Sequence, residues 1–325
     1  MHVVNEVPSE LLKILSERST FCLLSHSDPD GDCVGSELAL AHYLRRMGKR
    51  VGLYSPGPFH RAEVRQYASL FEPRIGQEML DAKPVAIVLD CSSIERIADL
   101  AEDVRGLLTV VIDHHSAGEV FGEIHYIDPA APAVTLLVQK LIESRGESVD
   151  AEEARWILFG FCTDTGFFRH LDSHDSRIFE AIGRLSRAGA TPKQTYGMIF
   201  GGRPLKTRVL LGRLLARTEE RAEGRVLVTY ETYLEKQLYG SENRDSDTLY
   251  QLLQSVVGCE VVILIREEDE ELCTVGLRSN AAVDVGAIAK AFGGGGHKRA
   301  AGFELRRPRM EVQELVLTEI AKTLR

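Results

Sequence analysis

Four times before residue 170, this chain runs from a short apolar segment straight into aspartate or histidine, and that repetition narrows the folds open to it. Phe21 to Ser25 (FCLLS) leads into His26-Ser27-Asp28-Pro29-Asp30-Gly31-Asp32. Val85 to Leu89 (VAIVL) leads into Asp90, and Thr109 to Ile112 (TVVI) leads into Asp113-His114-His115. The ARWILFGF stretch leads into Cys162-Thr163-Asp164-Thr165-Gly166. The first three runs have the length and composition of buried strands, and Arg50 to Tyr54 reads as another. Helical spacing runs from Gly35 to Met47, with Gly48 as its stop. Helices also fit Glu63 to Ser69 and Ile94 to Val104. Apolar strands joined by helical crossovers predict a parallel sheet covered by helices on both faces, an α/β domain. Further helices are expected at Ala133 to Ser144, from Ala151 towards Thr163, and at Asp175 to Ala188, closed by Gly189.

At 325 residues the chain has room for two domains of ordinary size. Pro192, Gly201, Gly202 and Pro204 punctuate the next stretch, so residues 191–204 read as a linker between domains at 1–190 and 205–325. The second part reads as a smaller mixed α/β domain. Its helices fit Leu205 to Thr218, Asp247 to Val256, Val285 to Phe292 and Met310 to Leu324. Its strands fit Arg225 to Thr229, Glu260 to Arg266 and Leu272 to Leu277. Charge divides along the same line. Residues 1–190 hold 19 Lys and Arg against 29 Asp and Glu, a balance of −10, and residues 191–325 hold 20 against 19, a balance of +1. A broad basic footprint for long nucleic acid is missing, so a nucleic-acid substrate is expected to be short, with no long duplex bound. No apolar run is long enough to span a bilayer, and Met1 to Ser19 lacks the apolar core of a signal peptide. The expectation is a cytoplasmic protein without a membrane partner. The six cysteines form no C-x-x-C pair and read as buried fillers in a reducing compartment.

In an open parallel sheet, ligands bind beyond the carboxyl ends of the strands. Three of the four acidic sites lie at such ends, so they are expected to converge. Several carboxylates in one cleft repel each other unless some take up protons or a cation joins them. Divalent metal removes the conflict, and the number of ligands suits two ions better than one. A mixture of carboxylates and imidazoles fits manganese, iron or zinc better than calcium. An EF-hand reading of Asp28, Asp30 and Asp32 fails, because Cys33 stands where that loop needs glycine and Ala39 where it needs glutamate. Of the other histidines, His42 is expected to pack on the first helix. His60, His125, His170 and His174 are expected at the surface or behind the site, with His170 and Arg169 nearest the cleft.

Near the end stands Gly293-Gly294-Gly295-Gly296-His297-Lys298-Arg299-Ala300-Ala301-Gly302. It is neither a P-loop nor a dinucleotide fingerprint, since no GK[ST] follows and Lys298 stands in place of the third glycine. Four glycines allow backbone N–H groups to approach an anion as a nest, with His297, Lys298 and Arg299 adding donors. Arg278-Ser279-Asn280 closes a strand upstream with a guanidinium, a hydroxyl and an amide, and arginine grips phosphate with paired hydrogen bonds.

Together these motifs resemble the DHH phosphoesterase family, whose name is the Asp113-His114-His115 triplet, and GGGGHKRAAG resembles the signature of its partner domain, DHHA1. The resemblance covers nearly the whole chain, and the compact two-domain form is most similar to the NrnA-type oligoribonuclease and pAp phosphatase branch. It implies that His26, Asp30, Asp32, Asp90, His114 and Asp164 ligate two divalent ions, typically Mn2+, with Mg2+, Fe2+, Zn2+ and Co2+ as alternatives. It implies Asp90 as the bridging carboxylate, Asp113 as the residue orienting the histidine pair, and His115 beside the scissile phosphate. Arg278, Ser279, Asn280, Gly294, Gly295, Gly296, His297 and Arg299 would hold the terminal phosphate or base. Many relatives carry asparagine where Asp28 stands, and the extra carboxylate is a candidate modifier of metal preference.

The expected reaction is metal-assisted hydrolysis of short nucleotides: dinucleotides such as pGpG or pApA, short RNA, or pAp. The second domain would measure substrate length, the junction would let the domains close, and a homodimer is compatible with the sequence. Other readings are a cyclic-di-AMP phosphodiesterase, a RecJ-like single-strand exonuclease, a DHH-type inorganic pyrophosphatase, and a non-catalytic nucleotide sensor.

Overall fold

The computed structural model describes residues 6–116, 118–119, 121–171, 175–280 and 283–324. Two compact units divide it, residues 1–202 and 203–325. The first unit runs α1 (Ser9–Glu17), β1 (Thr20–Leu24), α2 (Gly31–Arg46), β2 (Arg50–Tyr54), α3 (Gln77–Asp81), β3 (Val85–Leu89), α4 (Leu100–Asp103), β4 (Thr109–Asp113) and β5 (Ile124–Ile127), then α5 (Val134–Glu143), α6 (Ala151–Asp164), α7 (Ser176–Ala188) and α8 (Pro192–Phe200).

Its five strands are all parallel, in the order β2-β1-β3-β4-β5. Pleating sends alternate residues to opposite faces. Phe21, Leu23, Val85, Ile87, Leu89, Val110 and Ile112 enter the larger core, where they meet α1, α2, α5 and α6. Cys22, Leu24, Ala86 and Val88 enter a thinner layer completed by Met79, Ile97 and Leu100. Both faces are therefore covered, the second only by short helices. Glu63 to Ser69 forms a 3-10 turn at Arg65–Leu70 instead of an α-helix. Ile94 to Val104 splits into a 3-10 turn at Ile94–Ile97 and the four-residue α4. Ala98 between them has φ +48°, a conformation that interrupts helical hydrogen bonding.

The stretch read as a linker is mostly the helix α8. Thr191 caps it by accepting from the Gln194 N–H, and Pro192 occupies its first turn. Proline is favoured there because the N–H it lacks has no helical partner anyway. Thr195 and Ile199 bury their side chains. The first compact unit accordingly runs on to Gly202.

The second unit holds α9 (Leu205–Ala216), β6 (Glu219–Arg221), β7 (Val226–Glu231), α10 (Tyr233–Tyr239), α11 (Ser246–Gln254), β8 (Val261–Glu267), β9 (Leu272–Ser279), α12 (Val285–Ala291), β10 (Gly295–His297), β11 (Ala300–Arg306) and α13 (Arg309–Ala321). Its sheet is mixed, in the order β10-β11-β9-β8-β7-β6, with only the β7–β8 pair parallel. One face packs Val261, Ile263, Val275, Leu277 and Phe303 against Ile288, Val312 and Val316. Val262 and Leu264 on the other meet Leu210, Leu214, Leu249 and Leu253. Among the described residues no helix is long and apolar enough to cross a membrane.

Candidate metal centre

Strand order reverses between β1 and β3, so the chain leaves these neighbouring strands toward opposite edges of the sheet, opening a crevice at their carboxyl ends. His26 follows β1 there and Asp90 follows β3, while β4 ends at Asp113 and delivers His114 and His115. α6 brings Asp164 from the larger-core face. Three groups of donors result, each with its atoms within 4.8 Å of one another: His26, Cys33 and Asp90; Asp90, His114 and His115; and Asp32, His114 and Asp164. The structure thus joins five of the six expected ligands.

Asp30 belongs to none of the three groups. Its Oδ1 caps α2, accepting from the Asp32 and Cys33 N–H groups at 3.0 Å each. Its Oδ2 lies 3.7 Å from Arg61 Nη1. Asp28 is also outside the groups, but its φ of +53° explains what occupies the position. Asparagine and aspartate are the side chains that best tolerate the left-handed region. The choice at position 28 therefore follows from the backbone.

Hydrogen bonds orient the imidazoles. His26 Nδ1 bonds the Ser27 carbonyl at 2.7 Å, and His114 Nδ1 bonds the Ala131 carbonyl at 3.0 Å. A carbonyl only accepts, so each Nδ1 carries the proton and each Nε2 keeps its lone pair. Those lone pairs face carboxylates: His26 Nε2 is 3.8 Å from Asp90 Oδ2, and His114 Nε2 is 3.5 Å from Asp90 Oδ1 and 3.6 Å from Asp164 Oδ2. Asp113 Oδ1 accepts from the His114 N–H at 2.7 Å, the His115 N–H at 3.2 Å and His115 Nδ1 at 2.7 Å.

Electrostatics set the centre apart from an ordinary polar loop. Burial, reinforced by Asp30, Asp32, Asp113 and Asp164, drives the Asp90 carboxyl well above the usual range. Burial and the neighbouring Asp164 push Asp32 up to about 7. Asp164 is raised by burial as well, and burial lowers His26. Asp113 behaves in the opposite way, because its bonds from His115 and His114 outweigh burial and hold it below the usual range. The hydrogen bond to Asp113 in turn raises His115. Asp90 Oδ1 is buried and has no hydrogen-bond partner. An orphaned buried carboxylate oxygen facing two imidazoles, with further acids around it, is a donor set made for divalent cations, and these residues fit them.

Sequence reasoning did not single out Cys33, which lies fully buried beside His26 and Asp90. Its one signal was adjacency to Asp32. A fourth donor group, His42, Asp150 and Glu153, stands apart from the centre. It is accounted for by the capping box of α6 and by the Arg46 guanidinium bonded to Glu153, with His42 Nε2 held 2.8 Å from Asp150. His60 and His170 are exposed, His125 bonds the Phe121 carbonyl at 2.8 Å, and His174 lies outside the described residues.

In the second unit, strand pairing gathers another set. Arg278 pairs with Ala300, which also pairs with His297, and the Ser279 N–H donates to the Arg299 carbonyl at 2.9 Å. The Arg278 guanidinium lies 4.4 Å from the centre of the Tyr250 ring, a contact the sequence did not suggest. The anion nest needs correction. Gly293 and Gly294 turn their N–H groups to the Lys290 and Ala289 carbonyls, closing α12. Gly295 and Gly296 belong to a hairpin that turns at Lys298 and Arg299. Gly296 is required by its φ of +137° and by Ala301 Cα, which a Cβ would meet at 2.5 Å. Asn280 is a clamp: its amide nitrogen bonds the Gln254 and Cys259 carbonyls, and its oxygen accepts from Gln254. His297 and Arg299 remain exposed, and Ser279 is buried.

A five-stranded parallel sheet with an acid and imidazole centre at its switch point, followed by a mixed-sheet unit with a glycine hairpin, defines a class of two-part α/β proteins built around a candidate metal centre. The family model for the DHH family, N-terminal domain, matches residues 20–161, and that for the DHHA1 domain matches residues 230–325. The bifunctional oligoribonuclease and PAP phosphatase NrnA of Thermus thermophilus is 31% identical over 284 residues, 87% of this chain and 83% of that protein. The protein of the same description from Bacillus subtilis is 25% identical over 302 residues, 91% of this chain and 93% of that one. The crystal structure of an exopolyphosphatase-related protein from Bacteroides fragilis has the same fold. Its TM-score is 0.82 at 24% identity, over 96% of this chain and 95% of that one. The chain belongs to the DHH family of phosphoesterases.

Proposed function

We propose that this chain is a two-metal phosphoesterase of short nucleotides, acting on dinucleotides and short RNA and on pAp. One observation carries the reading: a buried Asp90 oxygen without a partner, facing the free Nε2 of His114 and lying in the same donor group as His115. His26, Asp30 and Asp90 would hold one ion, and Asp32, Asp90, His114 and Asp164 the other, with manganese the preferred metal. Bound divalent ions supply Lewis-acid stabilisation of phosphoryl charge and a water acidic enough to ionise near neutrality.

The protein's own groups do the rest. The Ser27 and Ala131 carbonyls keep His26 and His114 in the tautomer that leaves Nε2 free. Asp113 accepts from His115 Nδ1 and raises its basicity, so that His115 Nε2 holds a proton for the departing ribose oxygen. Burial of the centre strengthens each of these interactions relative to water. Arg278, half-buried on β9, and His297, exposed on β10, flank β11 at Ala300 and offer donors for a second phosphate or a base. The relatives named oligoribonuclease and PAP phosphatase support the substrate class, and the lack of a basic excess argues for short substrates.

The test is a substrate panel with manganese and with chelator: pAp, pGpG, pApA, RNA and DNA oligomers, cyclic-di-AMP and pyrophosphate. The expected result is manganese-dependent release of mononucleotide from dinucleotides and of phosphate from pAp. Hydrolysis of pyrophosphate alone, or no metal-dependent product from any nucleotide, would overturn the proposal.

A further inference from the structure

Asp32 is held by one helix other than its own and closely approached by a second. It lies in the first turn of α2, and both its oxygens accept from the start of α5: Oδ2 from the Val134 N–H at 2.6 Å, Oδ1 from the Thr135 N–H at 3.0 Å and the Thr135 hydroxyl at 2.8 Å. The residue that would normally cap α5 is Ala133, which has no side-chain acceptor. The carboxylate of Asp32 does that work from across the helix interface, and its direction is fixed by it.

From the other side comes α6. A Cβ added at Gly160 would meet Asp32 Cα and Oδ1 at 3.0 Å and overlap the methyl group of Thr135. Glycine in a helix interior costs about 1 kcal/mol relative to alanine, so its presence in the middle of α6 needs a reason. Close approach to Asp32 provides it. Asp164 stands four residues further along the same helix, on the same face. Gly160 thus sets how near α6 brings Asp164 to Asp32, the two carboxylates that form a donor group with His114.

We propose that Thr135 and Gly160 are the positioning residues of Asp32, and that together they build the half of the centre formed by Asp32, His114 and Asp164. This rests on the two-metal reading above, extends it to residues outside the ligand set, and assigns them to one of the two ions. Thr135 aims the carboxylate through its hydroxyl, and Gly160 leaves the space in which that carboxylate reaches its partners.

The experiment is a manganese titration of the intact chain without substrate, followed by calorimetry and by electron paramagnetic resonance. The wild-type chain is expected to take up two ions. Thr135→Val preserves the shape of the side chain and removes the hydroxyl. It is expected to weaken one ion by about 10–100-fold, the usual cost of losing a group that orients a ligand, and to leave the other unchanged. Thr135→Ser keeps the hydroxyl and is expected to bind both ions normally. Gly160→Ala is expected to lose the same ion as Thr135→Val. Adding Thr135→Ser to it removes the overlapping methyl and restores part of the affinity. If Gly160→Ala does not fold, the contrast between valine and serine at position 135 decides. Folded Thr135→Val with both wild-type affinities would overturn the inference. A wild-type chain that binds no manganese would instead overturn the two-metal reading.

Discussion

Replacing Asp90 with asparagine is expected to reverse the order in which the wild-type and variant chains unfold, depending on whether metal is present. Asp90 has φ +56°, a conformation that asparagine adopts as readily as aspartate, and the two side chains have nearly the same volume. The substitution therefore changes charge and little else. Without metal, the wild-type carboxyl is buried, one of its oxygens has no partner, and four other carboxylates surround it. A folded-state pKa raised above the unfolded value means that ionising this group opposes folding at neutral pH. Leaving a buried polar atom unsatisfied costs about 1–3 kcal/mol. In a unit of this size each kcal/mol moves the melting temperature by about 2–4 °C. In chelator the variant should melt higher than wild type by several degrees. With manganese at about 100 times its dissociation constant, wild type gains about 2.7 kcal/mol for each ion. The variant, without the shared carboxylate, gains much less, so wild type now melts higher, and only wild type turns over substrate. Circular dichroism melts in chelator and in manganese measure both effects. A variant that melts below wild type in chelator, or gains as much from manganese, would refute the reasoning.

Two further outcomes concern the second unit. Arg278→Ala should raise KM for dinucleotides more than it lowers kcat, and steady-state kinetics with an unchanged KM would remove Arg278 from the recognition set. Gly296→Ala should destabilise the hairpin by about 1–3 kcal/mol, because a Cβ there runs into β11 and the backbone is left-handed. Gly295→Ala, where a Cβ meets nothing within 4 Å, should stay within about 0.5 kcal/mol of wild type. Thermal melts of the two variants side by side check the contrast.

The parallel sheet could be read from the chain because β1, β3 and β4 are built on apolar runs, and the acids and histidines that follow them marked the site. β5 was missed because Ile124-His125-Tyr126-Ile127 is short and broken by histidine. α8 was missed because Pro192 and the nearby glycines were taken as breakers, whereas Thr191 and Pro192 begin a helix. The glycine segment looked like a loop because its pairing partners, Ala300 to Gly302, are small residues with little strand preference of their own. At the centre, His26, Asp32, Asp90, His114 and Asp164 were visible by position. Thr135 and Gly160 were not, since their role exists only once α5 and α6 pack against α2. The second duty of Asp30, whose Oδ1 caps α2 beside the role proposed for it at the centre, was equally hidden, because a carboxylate oxygen that bonds two N–H groups looks the same in sequence as one that faces a cation.

The donor groups of the centre draw on residues from His26 to Asp164, contributed by the segments after three strands, by the first turn of α2 and by the far end of α6. No shorter piece of the chain contains all of them. On the proposed two-metal reading, a full pair of ions would have nowhere to bind during synthesis until residue 164 has been made and the sheet has closed behind it. On that reading, metal uptake would report that the chain has passed Asp164 with its sheet closed, while α7 and α8 are still to come, and a nascent chain that stalls earlier would expose acids that nothing yet neutralises.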